Sequence, residues 1–88
     1  MKHYKNFLKN VDKFDVMFDA PQTKGKIKIV SGQEIEIEEF HIKVSIMIIE
    51  NTERGKEVLK KAQAIGIGST IRKAEQSAMD ECASRLGY

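Results

Sequence analysis

The fold prediction starts from residues 64–86, which read Ala-Ile-Gly-Ile-Gly-Ser-Thr-Ile-Arg-Lys-Ala-Glu-Gln-Ser-Ala-Met-Asp-Glu-Cys-Ala-Ser-Arg-Leu. Apolar and small residues recur here at spacings of three and four, which is the period of an amphipathic helix: Ile71, Ala74, Ala78, Cys82 and Leu86. Ser69 or Thr70 is suited to cap the helix N-terminus, and Gly87 follows as a stop signal. The alanines of this stripe, with Ala83, predict that the helix lies close to a sheet.

Three stretches upstream alternate apolar and polar residues with the period of a β-strand. They cover residues 26–30, 34–48 and 58–64, and the turn chemistry of residues 31–33 and 51–56 separates them. Within the second stretch the apolar positions change from odd, at Ile35 and Ile37, to even from Phe40 onward. One face of a strand cannot hold both sets, so we predict a bulge or break near residues 38 and 39.

The N-terminal region indicates a second amphipathic helix, whose apolar stripe is formed by Tyr4, Phe7, Leu8 and Val11. The sequence does not fix the residue at which this helix ends, because Phe14, Met17 and Phe18 either continue the stripe or pack from a loop. The helix has ended by Pro21, since the residue before a proline avoids the helical conformation. Residues 22–25 are interpreted as a connector.

The predicted order is therefore helix, three strands, helix. Short turns between the strands make the sheet antiparallel, and both helices pack on one face of it as an α+β domain, α-β-β-β-α. The 88 residues, 41% hydrophobic and 32% charged, suit a single globular domain with one core. One cysteine excludes an intramolecular disulfide, and the longest apolar run, residues 46–49, is too short for a membrane helix. We expect an intracellular domain with no membrane partner.

The small net charge of +2 hides an uneven distribution. Residues 1–33 carry seven Lys against three Asp, a balance of +4, and residues 54–88 carry seven basic residues against four acidic, a balance of +3. Residues 34–53 between them carry six Glu against one Lys, a balance of −5. Two basic ends therefore flank an acidic middle, and the total describes no single surface.

Residues 64–86 resemble the C-terminal signature of the double-stranded RNA-binding domain, most closely the form at the end of ribonuclease III enzymes. The matching positions are Gly66, Gly68, Ser69, Thr70, Arg72, Lys73, Ala74, Glu75, Gln76, Ala78 and Leu86. Residues 39–44 resemble the second strand of that family, in which Phe opens an alternating apolar run. The resemblance is specific over residues 39–86 and weak over residues 1–33.

The resemblance implies a non-catalytic domain that binds A-form RNA duplex by shape and phosphate contacts, such as the C-terminal substrate-binding domain of a ribonuclease III-type enzyme. Its implied RNA-binding residues are Gly68, Ser69, Thr70, Arg72 and Lys73 at the last helix, Gly32 and Gln33 in the first turn between strands, and Lys5 and Lys9 on the first helix. A glycine-rich approach to a helix N-terminus suits a phosphate. Alternatively, the glycines only make a tight turn and the basic side chains only face solvent.

Two departures from the family pattern support a different function. Ile71 stands where the family has the first of several basic residues, and residues 31–36 lack the Gly-Pro-x-His of the family loop and carry glutamates instead. The alternative is an interaction or dimerisation module of the same fold, with weak or lost RNA binding. Its partner is a second copy or a processing enzyme, and Met47 and Ile49 are expected on an exposed second sheet face.

Other chemistry finds little support in the sequence. Cys82 lies on the apolar helix stripe and is interpreted as a core residue, while His3 and His41 lack the spacing of metal ligands. The glutamates of residues 34–39 alternate along a strand and point to both of its faces. We therefore expect no catalytic residues, no metal and no cofactor.

Overall fold

The computed structural model describes all residues from Met1 to Tyr88 and is an α+β fold with two helices and one antiparallel sheet. The helices are α1 (Lys2–Asn10) and α2 (Ile71–Arg85). The strands are β1 (Phe14–Phe18), β2 (Gln22–Val30), β3 (Gln33–Thr52) and β4 (Gly55–Gly68). The predicted class, the helix at each end of the chain and the antiparallel pairing are confirmed.

Strand β3 is the centre of the sheet, and every other strand pairs with it. β4 runs along one of its edges, while β1 and β2 share the other edge, opposite residues 44–48 and 33–41. β1 and β2 are therefore two parts of one edge strand, interrupted at residues 19–21, where Pro21 has no N–H to donate. This interruption gives four strands in place of the three predicted.

The region between α1 and the hairpin differs from the sequence prediction. α1 ends at Asn10, and residues 14–18 form strand β1 instead of extending the helix or lying in a loop. The connector predicted at residues 22–25 is wrong, because these residues pair with residues 38–41 at the start of β2. Pairing with β3 supplies hydrogen bonds that the local sequence pattern does not reveal.

The bulge predicted near residues 38 and 39 is also wrong. β2 and β3 keep one register from Gln22↔His41 to Val30↔Gln33, so β3 alternates without interruption. The apolar side chains change face instead: even-numbered residues from Phe40 onward face the helices, and Ile35 and Ile37 lie on the opposite face. The irregularity in the sheet lies further on, where the β3–β4 register shifts between residues 48 and 49.

The core lies between the sheet and both helices. β3 contributes Ile42, Val44 and Ile46, α1 contributes Phe7, and α2 contributes the predicted small residues Ala74, Ala78, Cys82 and Ala83, all of them buried. Ile71 is the exception in the predicted α2 stripe, because 42% of it is exposed. As the first residue of the helix, it lies just past the end of β4.

The closest contact in the core joins the backbones of β4 and α2. A Cβ placed on Gly66 would lie 2.6 Å from the Ala78 amide nitrogen, and one on Gly68 would lie 2.7 Å from the Ala74 amide nitrogen. Real Cβ atoms do not approach backbone atoms so closely, so only glycine is accommodated at these two positions. The predicted close approach of helix and sheet is confirmed, and the glycines of β4 contribute to it as much as the alanines of α2.

Cys82 lies in the same contact, as predicted for a core residue. Its side chain is fully buried, and its Sγ donates to the Val44 carbonyl oxygen at 3.3 Å. Burial raises the pKa of this thiol, because the charged thiolate is disfavoured away from water. The reactive form of the cysteine is therefore suppressed in the folded protein.

The sheet extends well beyond the helices. The molecule measures 62 × 24 × 16 Å, and its long dimension is close to the extended length of β3, about 66 Å at 3.3 Å per residue. At one end, β2 and β3 continue as a hairpin arm, residues 24–38, in which every residue is exposed. Ser31 and Gly32 form its turn with positive φ angles of 52° and 77°, as in a two-residue type I′ turn, and Gln33 already belongs to β3.

We predict that Gly66→Ala lowers the free energy of unfolding by about 3 kcal/mol, because the added methyl forces α2 away from β4. Gly25→Ala is the matched control. The new methyl there meets only the end of the flexible Glu36 side chain, at 3.3 Å, and the expected change is below about 1 kcal/mol. Urea unfolding followed by circular dichroism measures both; equal losses would contradict the backbone contact.

Candidate nucleic-acid interface

The N-terminus of α2 begins directly after β4 and is capped by Thr70. Its Oγ1 accepts a hydrogen bond from the Lys73 amide at 3.1 Å, and its carbonyl oxygen accepts one from the Ala74 amide at 3.1 Å. Of the two capping candidates, Thr70 is therefore the N-cap and Ser69 precedes it. The amides of Ile71 and Arg72 have no acceptor within the chain and remain available to a ligand.

Two cations occupy the first turn of this helix without a carboxylate partner. Arg72 and Lys73 are exposed, and no acidic residue lies in the same turn. Neither takes part in any of the four ion pairs of the protein, and the Lys73 Nζ only approaches the Ser69 hydroxyl, at 3.4 Å. Cations at a helix N-terminus oppose the helix dipole, so the arrangement is more favourable when an anion is bound there.

The glycines that precede the helix have a packing role. Gly68 is the last residue of β4, and a Cβ on it would lie 2.8 Å from the Lys73 Cβ. It thus determines how close the first turn of α2 lies to the sheet. Neither Gly66 nor Gly68 has a positive φ angle, and both belong to strand β4. Their role as an approach to a phosphate stays a prediction.

The basic face of α1 forms a second group. Lys5 and Lys9 are exposed and belong to no ion pair. α1 is held against α2 by the Tyr4 amide, which donates to the Asp80 carboxylate at 3.0 Å. Since Asp80 lies eight residues along α2 from Arg72, this contact is about 12 Å from the α2 N-terminus.

Phe7 holds the same helix in place through two aromatic contacts. Its ring lies edge-on to those of Phe14, at 4.8 Å between centroids, and Tyr88, at 5.5 Å. The Asn6 side chain, which shares the polar face of α1, donates to the Tyr88 carbonyl oxygen at 3.3 Å. Asn6 is therefore partly engaged within the chain, while the neighbouring lysines are not.

Gly32 and Gln33 form the third group, at the tip of the hairpin arm. Gln33 is seven residues from Phe40 along β3, and Phe40 pairs with Gly68 beside the α2 N-terminus. The tip is therefore about 23 Å from that terminus. The predicted RNA-binding residues thus form three separate exposed groups in the order α1, α2 N-terminus, hairpin tip.

The acidic residues of the hairpin arm lie on the same side of the sheet as the helices. Glu34, Glu36 and Glu38 are even-numbered residues of β3, as are the core residues that face α1 and α2. The lysines of β2 pair with odd-numbered residues of β3 and point to the open face, the face away from the helices. Sequence reasoning identified the acidic segment but missed this basic row, Lys24, Lys26 and Lys28, whose direction depends on the strand register.

His41 lies inside β3, as predicted, and points to the open face. Its Nε2 is 3.0 Å from the Glu39 carboxylate, which also lies 3.7 Å from the Lys26 Nζ. A shallow cleft beside it, where β1 ends and β2 begins, is lined by Asp19, Ala20, Gln22, Lys24, Lys43 and Ile65. No three His, Cys, Asp or Glu side chains are grouped closely enough to hold a metal ion. Neither helix has the length and apolar content required to cross a bilayer.

Comparison with protein-family models, with curated proteins and with solved structures found no match to this chain. The resemblance to the double-stranded RNA-binding domain therefore rests on the residues quoted above. The α2 N-terminus is the part of the surface where that resemblance and the geometry coincide.

We predict that Thr70→Ala lowers the free energy of unfolding by about 1 kcal/mol, because the Lys73 amide loses its acceptor. Ser69→Ala removes a neighbouring hydroxyl that does not cap the helix and is expected to change stability by less than about 0.5 kcal/mol. Urea unfolding compares the two variants. A larger loss for Ser69→Ala would show that the cap is misassigned.

Proposed function

We propose that this chain is a non-catalytic domain that binds double-stranded RNA, recognising the A-form duplex by its shape and its phosphates. The observation that carries the proposal is the α2 N-terminus. There, two backbone amides without acceptors and two cations without carboxylate partners, Arg72 and Lys73, occupy one exposed helical turn. That chemistry suits a phosphate, and the same residues match the family signature.

The spacing of the three exposed groups supports a duplex as the ligand. Domains of the resembled family span about 16 base pairs, contacting two minor grooves and the major-groove phosphates between them. The α2 N-terminus lies between the other two groups along the molecule. In the proposed complex Arg72 and Lys73 contact the phosphates, and Lys5 and Lys9 of α1 reach one minor groove. Gly32 and Gln33 reach the other.

The acidic row of the hairpin arm limits the affinity of this interface. Glu34, Glu36 and Glu38 are on the helix side of the sheet, where the duplex would lie, and carboxylates repel phosphates. We therefore propose moderate affinity with a clear dependence on salt. A preference for RNA over DNA follows from the shape and 2′-hydroxyl contacts of such domains, and little sequence preference is expected.

The decisive test is titration of an RNA duplex of about 20 base pairs, and of DNA of the same sequence, with the wild-type chain and Arg72→Ala/Lys73→Ala. The variant is expected to lose about tenfold or more in RNA affinity, and its salt dependence should correspond to about two fewer phosphate contacts. The control, Lys43→Ala/Lys61→Ala, removes the same charge from the open face. Equal losses in both variants, or no preference for RNA, would disprove the proposal.

A gain-of-function variant tests the same site from the opposite direction. Ile71→Lys restores a basic residue where the family has one, and it removes little packing because 42% of Ile71 is exposed. RNA affinity is expected to rise by about threefold or more. Val58→Lys adds the same charge at an exposed apolar residue of β4 outside the proposed interface. If both variants bind RNA equally well, the gain is due to net charge alone.

A second candidate is an interaction or dimerisation module of the same fold with weak or lost RNA binding, whose partner is another copy or a processing enzyme. The observation that favours it is the amount of exposed apolar surface on the sheet, including Ile65 and Ile67 on the open face. Met47 and Ile49 also point to that face and are half-buried. Sedimentation distinguishes the candidates, since a chain that stays monomeric until duplex RNA is added contradicts the second one.

A further inference from the structure

The hairpin arm, residues 24–38, is the part of the sheet that no helix covers. Ile27 and Ile29 are 67% and 71% exposed, and Val30, Ile35 and Ile37 are exposed as well. A two-stranded hairpin is only marginally stable alone in water. The arm carries five exposed aliphatic side chains that no helix covers, and such a surface is typical of an interaction site.

The strand register gives the two faces of the arm different compositions. On the helix side, Ile27 pairs with Glu36 and Ile29 with Glu34. On the open side, Lys26 pairs with Ile37 and Lys28 with Ile35. Each face thus has one row of aliphatic side chains beside one row of charges of a single sign. We call them the acidic face (Ile27, Ile29, Glu34, Glu36, Glu38) and the basic face (Lys24, Lys26, Lys28, Ile35, Ile37).

The two faces complement each other in one orientation. When the basic face of one arm lies on the acidic face of another and the two arms point in opposite directions, β2 of the first lies over β3 of the second. The lysine row then meets the glutamate row, and Ile35 and Ile37 meet the Ile27–Ile29 row. With both arms pointing the same way, each charged row would lie on an aliphatic row instead. Residues two apart along a strand are about 7 Å apart in both rows, so the side chains can interdigitate.

We propose that the hairpin arm is a self-association surface, on which the basic face of one copy binds the acidic face of a second copy with the two arms pointing in opposite directions. The partner is a second copy, because the chain itself carries both halves of the complementary pattern. Lys24 and Lys28 have no ion-pair partner within the chain, and none of the three glutamates of the acidic face has one. Lys26 is the exception, at 3.7 Å from Glu39.

The geometry implies open-ended growth. The contact joins two different faces, so each dimer retains one free basic face and one free acidic face, and further copies can add. One arm face is smaller than the standard interface of about 800 Å² per partner, so each contact is weak. Association is therefore expected to depend on protein concentration and to weaken with salt, which screens exposed ion pairs. This proposal does not depend on RNA binding.

Sedimentation velocity of the full chain, freed of nucleic acid, tests the proposal without any variant. At low salt the average sedimentation coefficient is expected to rise with concentration and to pass the value of a dimer; added salt should reverse the rise. A chain that remains monomeric at every concentration would overturn the proposal. A species that stops at two copies would also overturn it, because a symmetric dimer does not join unlike faces.

Charge-reversal variants test whether the lysine row of one copy contacts the glutamate row of the next. One triple variant, Lys24→Glu/Lys26→Glu/Lys28→Glu, has two acidic faces, and a second, Glu34→Lys/Glu36→Lys/Glu38→Lys, has two basic faces. Each alone is expected to lose about tenfold or more in association constant. Mixing the two should restore association, because unlike faces are again available. Failure of the mixture to associate, while both variants retain the wild-type circular dichroism spectrum, would overturn the proposal.

Lys43→Glu/Lys61→Glu is the control on the same side of the sheet. Both residues lie on the open face outside the arm, so the variant should associate like the wild type. If it loses association as strongly as the triple variants do, net charge and not the arm controls the effect, and the proposal fails. Should a triple variant not fold, the glutamine versions at the same positions provide the comparison, with a smaller expected loss. The RNA titration described above is read separately, at concentrations where the chain is monomeric.

Discussion

The direct contact between the backbones of α2 and β4 is the constraint on which the rest of the structure depends. On the strand, Gly66 and Gly68 have no side chains, and on the helix Ala74 and Ala78 contribute only methyl groups to the contact. The helix consequently lies low on the sheet, and the buried Cys82 thiol reaches a carbonyl oxygen of β3. The position of the α2 N-terminus, and therefore of Arg72 and Lys73, follows from this packing. The basic turn consequently lies just past the end of β4.

The length of β3 is the second constraint, because it produces the hairpin arm. Twenty residues of uninterrupted strand extend beyond what two short helices cover, so the β2–β3 hairpin continues into solvent as an arm. Pleating then separates its charges, because neighbouring residues of a strand point to opposite faces. The arm, which holds three Lys and three Glu, therefore has one acidic and one basic face. In the proposed RNA complex the acidic face weakens binding on the helix side, and in the proposed self-association the same face binds the basic face of a second copy.

Local features of the candidate site were predictable from residue order. The start of α2 and its first basic residues depend on contacts within a few residues and agree with the sequence prediction, while the sequence narrows the cap to Ser69 or Thr70, of which Thr70 is the N-cap. The spacing predicts Ile71 in the apolar stripe, yet 42% of it is exposed, and it lies past the end of β4. The glycines, predicted as an approach to a phosphate, also pack against the backbone of α2. Both features depend on which element packs against these residues. The spacing of residues along the chain carries no information about that packing.

The sequence by itself determined the α+β class, the helix at each end, the antiparallel hairpins and most of the core. These follow from periodicity, turn residues and capping, all of which act over short distances along the chain. Only the tertiary structure decided that residues 14–18 form an edge strand and that β3 changes its apolar face without a bulge. It also decided that the lysines and glutamates of the arm lie on opposite faces. The reason is physical: strand register is set by hydrogen bonds between distant segments, and a shift of one residue would exchange every face.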